Sequence, residues 1–396
     1  EKGVLFTYGT NYEALGRQTG KLAGRVLRGE KVKDVDAEYP KTLNVVVNHD
    51  MAKELGIDVS SISDEESKAS TQDDKPIAKK DKGVIKLKVN KSSKKGFSNV
   101  VLTAISQGLL WAIMAIGVFI TFRILDLADL TAEGAFPLGA ATTTIMIIRG
   151  INPIFATLGG FVAGMLAGAV SGFMHTKMKI PALLTGIITL TGLYSVNLLV
   201  LGSANVSLSG HNTLVTMVMD LGLSKLNGVI LLGLIFVSLV VLMLVVLLNT
   251  QVGLALRATG DNLAMGEANG IKVDRMKILG YMISNGLIAL SGALLAQNNG
   301  YADMNMGTGT IVNGLAAIIL AEVIVKYLPL GKRLWSIVVG AVLYRLVLVI
   351  ILAMNVDAQM LKLASAILLA IILYVPEVRQ KLKIKPNKSL TPGGDK

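Results

Sequence analysis

Apolar residues fall into two regimes along this chain. Up to about residue 63 they come in short groups broken by polar positions, whereas from Asn99 to Val375 they form long, nearly uninterrupted runs. A membrane-crossing helix needs about 20 mainly apolar residues. Runs of that kind predict segments over 99–125, 133–148, 153–174, 181–201, 227–249, 277–297, 310–326, 333–354 and 358–376. Helices buried in a soluble core keep a polar stripe, and these mostly have none. The expected fold is therefore an all-α polytopic membrane protein, a helical bundle of eight to ten segments.

The first regime predicts different elements. Residues 3–10 and 43–47 read as short strands, and 12–27 and 49–55 as helices closed by Gly29 and Gly56. This small N-terminal α/β fragment, residues 1–63, buries too little apolar surface to be comfortable alone. Residues 64–98 read as a charged linker, first acidic and serine-rich, then carrying nine lysines and one aspartate between Lys75 and Lys95. Residues 99–376 form the transmembrane domain, and 377–396 a basic cytoplasmic tail. Glu1-Lys2 leads into a soluble-looking stretch, so no signal-peptide pattern is expected there, and the natural amino terminus is expected upstream.

Loop charge sets the expected orientation. Residues 175–179, 251–277, 326–333 and 379–388 hold most of the basic loop residues, while 202–226, 298–309 and 355–357 hold almost none. The first set is expected in the cytoplasm. By the same rule the lysines of 75–95 also lie inside, so eight segments cross and 133–148 must be re-entrant or broken. Pro137 with Gly134 and Gly139 gives that segment the composition for a break. Placing the amino end outside instead allows nine crossings. A weak internal resemblance links 130–141 with 306–317, as in transporters built from repeats.

Composition narrows the function. The chain is 52% hydrophobic and 17% charged with a net charge of +12, and its basic residues sit in tails and short loops instead of on one folded face, which argues against a nucleic-acid partner. It has no cysteine, which excludes disulfides, thiolate metal sites and cysteine nucleophiles. His49, His175 and His211 are too far apart in sequence for metal-ligand spacing, so neither a metal nor a cofactor is expected. The run Gly16 to Lys21 has three residues between its glycines and Leu22 after the lysine, so it is not a phosphate-binding loop. No catalytic residues are expected, and any ATP hydrolysis must come from a separate subunit.

The loop 251–277 is longer than most connections. Gly260, Asp261 and Asn262 read as a turn and helix cap, residues 263–268 as a short amphipathic helix, and Gly270 as its stop. With Arg257 and Glu267 beside it, such a capped helix between two spanning segments is suited to docking in a cleft of another protein. Within the apolar segments, Glu133, Gly134, Pro137, Asn197, Asn285 and Arg345 are candidate pathway residues, with Asn298 and Asn299 behind them. Arg345 is either a guanidinium for a passing carboxylate or half of a structural pair with Glu322; Glu322 could also pair with Lys326.

Leu256 to Asn262 with Ala264, Ala268, Gly270 and Ile271 resembles the cytoplasmic coupling loop of the branched-chain amino acid and ribose class of ABC importer permeases. Arg123 to Thr131, with Gly134 and Leu138 to Ala141, resembles the first extracytoplasmic turn and second segment of the subgroup served by tryptophan-type binding proteins. Residues 12–21, 27–29, 40–44, 48 and 52–57 resemble the carboxyl end of such a binding protein. The resemblance implies a multi-pass plasma-membrane permease importing an amino-acid-like solute, aromatic or branched-chain. It implies an ATP-binding subunit, an extracytoplasmic substrate-binding protein, a second permease copy and surrounding lipid as partners. Movement of the ATPase would reach the helices through Arg257, Gly260, Asp261, Asn262, Glu267 and Gly270. The alternative is a secondary transporter driven by an ion gradient.

Overall fold

The structure, a computed structural model, describes residues 6–10, 42–47, 67–68, 93–324, 329–353, 360, 363–371 and 374. The chain divides into two compact units, Glu1–Gly96 and Phe97–Lys396. In the first, strands β1 (Phe6–Thr10), β2 (Thr42–Val47) and β3 (Ser67–Lys68) form an antiparallel sheet in the order β1-β2-β3. Tyr8 faces Val45 and Thr10 faces Leu43 across the first pair. β3 lies in what reads as linker from sequence. The helices expected over 12–27 and 49–55, and the tail 377–396, lie outside the described residues.

The second unit is helical. α1 spans Ser93–Phe119 and runs on through a π-helical turn, Ile120–Ile124. α2 (Ala132–Ile148), α3 (Pro153–Thr176), α4 (Ala182–Leu201), the short α5 (Leu214–Met219) and α6 (Lys225–Leu248) follow. Next come α7 (Gln251–Asp261), α8 (Leu263–Ala268), α9 (Val273–Asn299), α10 (Thr310–Ile324) and α11 (Leu330–Ala353). Residues 363–371 are helical as well. Among the described residues seven helices are long and apolar enough to cross a membrane, and α2 is a shorter apolar helix. Two three-residue strands, β4 (Asn205–Ser207) and β5 (Tyr301–Asp303), pair antiparallel and tie the loop after α4 to the loop after α9.

The centre of the bundle is α2, α3 and α9. Gly160, Gly164, Gly168 and Gly172 recur every four residues on α3; the last three lie against the backbone of α9 and Gly160 against Gly139 and Thr143 of α2. A Cβ at Gly172 would come 2.8 Å from the Cα of Ile278. Close backbone approach of this kind is how helices associate in lipid, where no hydrophobic driving force separates helix from solvent. Leucine, isoleucine and phenylalanine side chains on the outer faces of α3, α4 and α6, such as Phe155, Leu166, Leu199 and Leu242, are exposed, as a lipid-facing surface requires.

The break in the helix order falls earlier than Pro137 suggests. α2 is one continuous helix with Pro137 inside it, and the irregular stretch is 125–131 before it. Pro137 cannot donate to the carbonyl of Glu133, and Gly307 packs directly on that carbonyl and on the proline ring. The irregular stretch buries Leu125, Asp129 and Thr131 and is supplied with partners, as such backbone at membrane depth requires. Leu127 N–H donates to Thr121 O at 2.9 Å, and Thr131 N–H to the buried Asp129 carboxylate at 2.9 Å. Asn285 Nδ2 donates to the other oxygen of Asp129 at 2.7 Å.

The packing also places the two ends of α1. The end of the π turn, Ile124 and Leu125, touches Gly260 of α7 and Gly280 near the start of α9, at the face carrying the basic loops. The other end of α1 shares a cavity with Lys225, Asn298 and Tyr301, at the face of the uncharged loops. The end of α1 that carries Ile124 and Leu125 thus lies at the face of the basic loops, and its other end at the face of the uncharged loops.

Candidate functional site

Two places combine chemistry with position. The first is the loop between α6 and α9. Thr250 caps α7, accepting from Gly253 N–H at 3.3 Å. Asn262 ends α7, donating its N–H to Ala258 O at 3.1 Å, and its Oδ1 accepts from Met265 N–H at 3.0 Å to start α8. Gly270 takes a left-handed φ of 74°, donates to Glu267 O at 2.9 Å and stops the helix. One face of α7, Gly253, Leu256 and Thr259, is buried against the bundle; Arg257, Asp261, Asn262, Glu267 and Gly270 are exposed. Leu254, Leu263 and Met265 add apolar surface to the exposed side.

Gly260 does not sit in a turn with positive φ, as its Gly-Asp-Asn context suggests. It lies inside α7, and a Cβ there would overlap the carbonyl oxygen of Ile124. The glycine is thus a contact between the loop and the π turn. Beside it, Glu322 pairs with Arg123 and, at 2.9 Å, with Arg333, whose guanidinium lies 4.9 Å over the ring of Phe119. This cluster joins α1, α10 and α11 at the cytoplasmic face.

The second place is within the bundle. Glu133, Gly134, Pro137 and Asn197 line one cavity of about 200 Å³ together with Tyr194 and Asn305. Glu133 accepts from Gly309 N–H at 3.0 Å, so the two segments that resemble each other meet here, while Asn197 Nδ2 donates to Gly134 O at 3.1 Å. Asn285 lines none of the described cavities; it is fully buried and holds Asp129, a residue that sequence reading passes over because it looks like a loop aspartate. Arg345 does not pair with Glu322. Its Nε donates to Gln107 Oε1 at 3.0 Å and its guanidinium stacks 5.0 Å from the centre of Trp111. Lys326 lies outside the described residues. Asn298 and Asn299 line a further cavity at the extracytoplasmic end.

Residues 100–376 match the family described as branched-chain amino acid transport system / permease component. The chain belongs to that permease family. Residues 1–69 separately match the family described as ABC transporter substrate binding protein. The permease is 38% identical over 295 residues to the tyrosine transport system permease protein of Clostridioides difficile, covering 74% of this chain and 96% of that one. It is 35% identical over 277 residues to an uncharacterized protein of Rickettsia prowazekii, covering 69% and 96%. It is 26% identical over 220 residues to the autoinducer 2 import system permease protein of Salmonella paratyphi B, covering 54% and 60%. A solved metal-chelate type ABC transporter in an inward-facing conformation aligns at 17% identity over 71% of this chain and 85% of that chain, with a TM-score of 0.42.

The permease is thus the multi-pass plasma-membrane translocation subunit of an ABC importer and is not itself the catalytic component. An ABC permease works with an ATP-binding subunit and a substrate-binding protein. Family membership sets aside the ion-gradient alternative.

Proposed function

We propose that the permease imports an amino acid with an aromatic or branched apolar side chain. It would do so as one of two copies surrounded by lipid, with α7 and α8 docking on the ATP-binding subunit. The observation that carries the coupling role is Gly260 against Ile124. The exposed side of α7 and α8 offers Arg257, Leu254, Met265 and Glu267 to a partner, and the buried side presses on the π turn of α1 through that glycine. π turns inside α-helices recur at functional sites because one extra residue per turn can shift register. A displacement of the loop would therefore be delivered to α1, α9 and the irregular 125–131 stretch, and so to the Glu133 and Asn197 cavity that adjoins α2. The substrate class rests on the name of the C. difficile relative and on the family description.

The absence of native cysteines makes the docking reading directly testable. A single Glu267→Cys, carrying a short photo-crosslinker, is expected to capture the ATP-binding subunit from the assembled importer, and to do so differently with and without ATP. A single cysteine in the exposed extracytoplasmic loop, His211→Cys, serves as control. Equal capture from both positions, or none from Glu267→Cys in an importer that still transports, overturns the docking role.

A further inference from the structure

The extracytoplasmic half of the bundle holds three spaces in line beside α1. The outermost, about 400 Å³, is polar and lined by Thr103, Ser106, Lys225 and Asn298. It shares Gln107 and Asn299 with a second cleft of about 160 Å³, which is closed by Trp111, Phe136 and Arg345. Trp111 and Arg345 in turn border a third space of about 10 Å³, deeper along α1, with Met114 and Asn313 on its wall. That volume suits a single water. The row is a vestibule, a cleft and a constriction, running from the extracytoplasmic face toward mid-membrane.

The cleft has an excess of hydrogen-bond donors. Arg345 brings five N–H groups, of which Nε is given to Gln107. Among the described residues no carboxylate pairs with it. The indole N–H of Trp111 is buried without a hydrogen-bond partner. Gln107 spends its acceptor oxygen on Arg345, so its amide N–H₂ remains as a further donor. Beside these donors lies an aromatic wall: Trp111 and Phe136 stack with centroids 5.4 Å apart and an interplanar angle of 25°. An intramembrane cation is expected to face a partner or a wet pathway, and here the protein supplies an amide and an indole face instead of an anion.

We propose that this cleft binds the carboxylate of a solute in transit, with the solute's flat apolar group lying against Trp111 and Phe136. The guanidinium fork matches a carboxylate in two parallel hydrogen bonds, and an apolar cavity of about 150 Å³ is known to hold a benzene ring. The proposal rests on the amino-acid reading and deepens it by naming the group recognised. Arg345 is then a specificity residue for the acid function, and the aromatic pair selects the side chain. A phospholipid headgroup offers the same anionic chemistry, and the test separates the two sources.

The chain has two tryptophans. Trp335 is exposed and lines none of the three spaces, so a full-length permease carrying Trp335→Phe reports on Trp111 alone. In phosphatidylcholine liposomes, L-phenylalanine is expected to shift Trp111 emission saturably. Phenethylamine, which lacks the carboxylate, should need at least tenfold higher concentration, as should L-phenylalanine on the Arg345→Gln background. Gln107→Leu, which removes the guanidinium's tether without removing charge, should weaken the response severalfold and keeps the test open if Arg345→Gln does not fold. Equal responses to the two probes, no saturable response, or a response to added phosphatidylglycerol that phenylalanine does not displace overturns the proposal. Wild-type importer assayed in parallel for uptake of aromatic and branched-chain amino acids keeps the two readings apart: L-phenylalanine uptake without a Trp111 response rejects the cleft alone, and uptake of none of them rejects the substrate class.

Discussion

Gly260→Ala adds one methyl group where α7 meets the first span. The new Cβ would overlap the carbonyl oxygen of Ile124, with Leu125 Cα also close, and neither is the flexible end of a side chain. Backbone cannot rotate aside, so α7 has to withdraw from the π turn. Overpacking of this sort typically costs about 1–3 kcal/mol. If the contact carries the coupling, a loss of that size corresponds to roughly 5- to 150-fold in the coupled equilibrium. Uptake driven by ATP in proteoliposomes, with the ATP-binding subunit and binding protein present, is therefore expected to fall at least fivefold, while membrane insertion stays normal. Gly202→Ala is the matched control: its φ of 72° makes alanine locally strained, with nothing within 4 Å and no contact with the loop. Left-handed backbone costs a non-glycine residue roughly 1–2 kcal/mol, yet uptake should stay near wild type. Full uptake by Gly260→Ala, or an equal loss in Gly202→Ala, refutes transmission through this contact.

Three further outcomes follow from the packing. Gly168→Leu on the α3 stripe should prevent α3 from closing on Tyr281 and Met282, and is expected to abolish recovery of monodisperse protein in detergent, whereas Gly192→Leu, which meets open space, should not; similar yields would remove the stripe from the account. Asp129→Ala leaves the Asn285 amide and the Thr131 N–H short of their acceptor, which should lower stability by about 1–3 kcal/mol, read as a lower midpoint in thermal denaturation; an unchanged midpoint counts against a structural role for these hydrogen bonds. Thr103→Cys should react with a membrane-impermeant maleimide from outside intact cells and Met265→Cys only after permeabilisation; labelling of both only after permeabilisation would instead put the amino end of α1 inside.

What the sequence discloses here is mostly local. The capped helix after α7 is legible because Asn262 and Gly270 are signals read within four residues, and both act as caps in the structure. Gly260 is not legible in the same way: its reason is Ile124, far away in the chain, and local context suggests a turn that does not exist. Pro137 and its neighbouring glycines draw attention to α2, but the break lies at Asp126 to Leu130, where polar and apolar residues alternate too briefly to show a pattern. The four-residue recurrence from Gly160 to Gly172 was open to reading and marks the central helix contact. Arg345 shows the opposite case. A buried charge calls for a partner, Glu322 is the obvious acid in the apolar region, and yet Glu322 is held by Arg123 and Arg333 at the cytoplasmic face.

The most direct test of the whole account is transport itself. Purified permease, reconstituted in proteoliposomes with its ATP-binding subunit and a full-length binding protein, should accumulate labelled L-tyrosine when ATP is supplied on the side of the ATP-binding subunit. Accumulation should cease when that subunit is made unable to hydrolyse ATP, and ion gradients should have no effect. Tyrosine accumulation by the permease alone, driven by a proton or sodium gradient and indifferent to ATP, would contradict it.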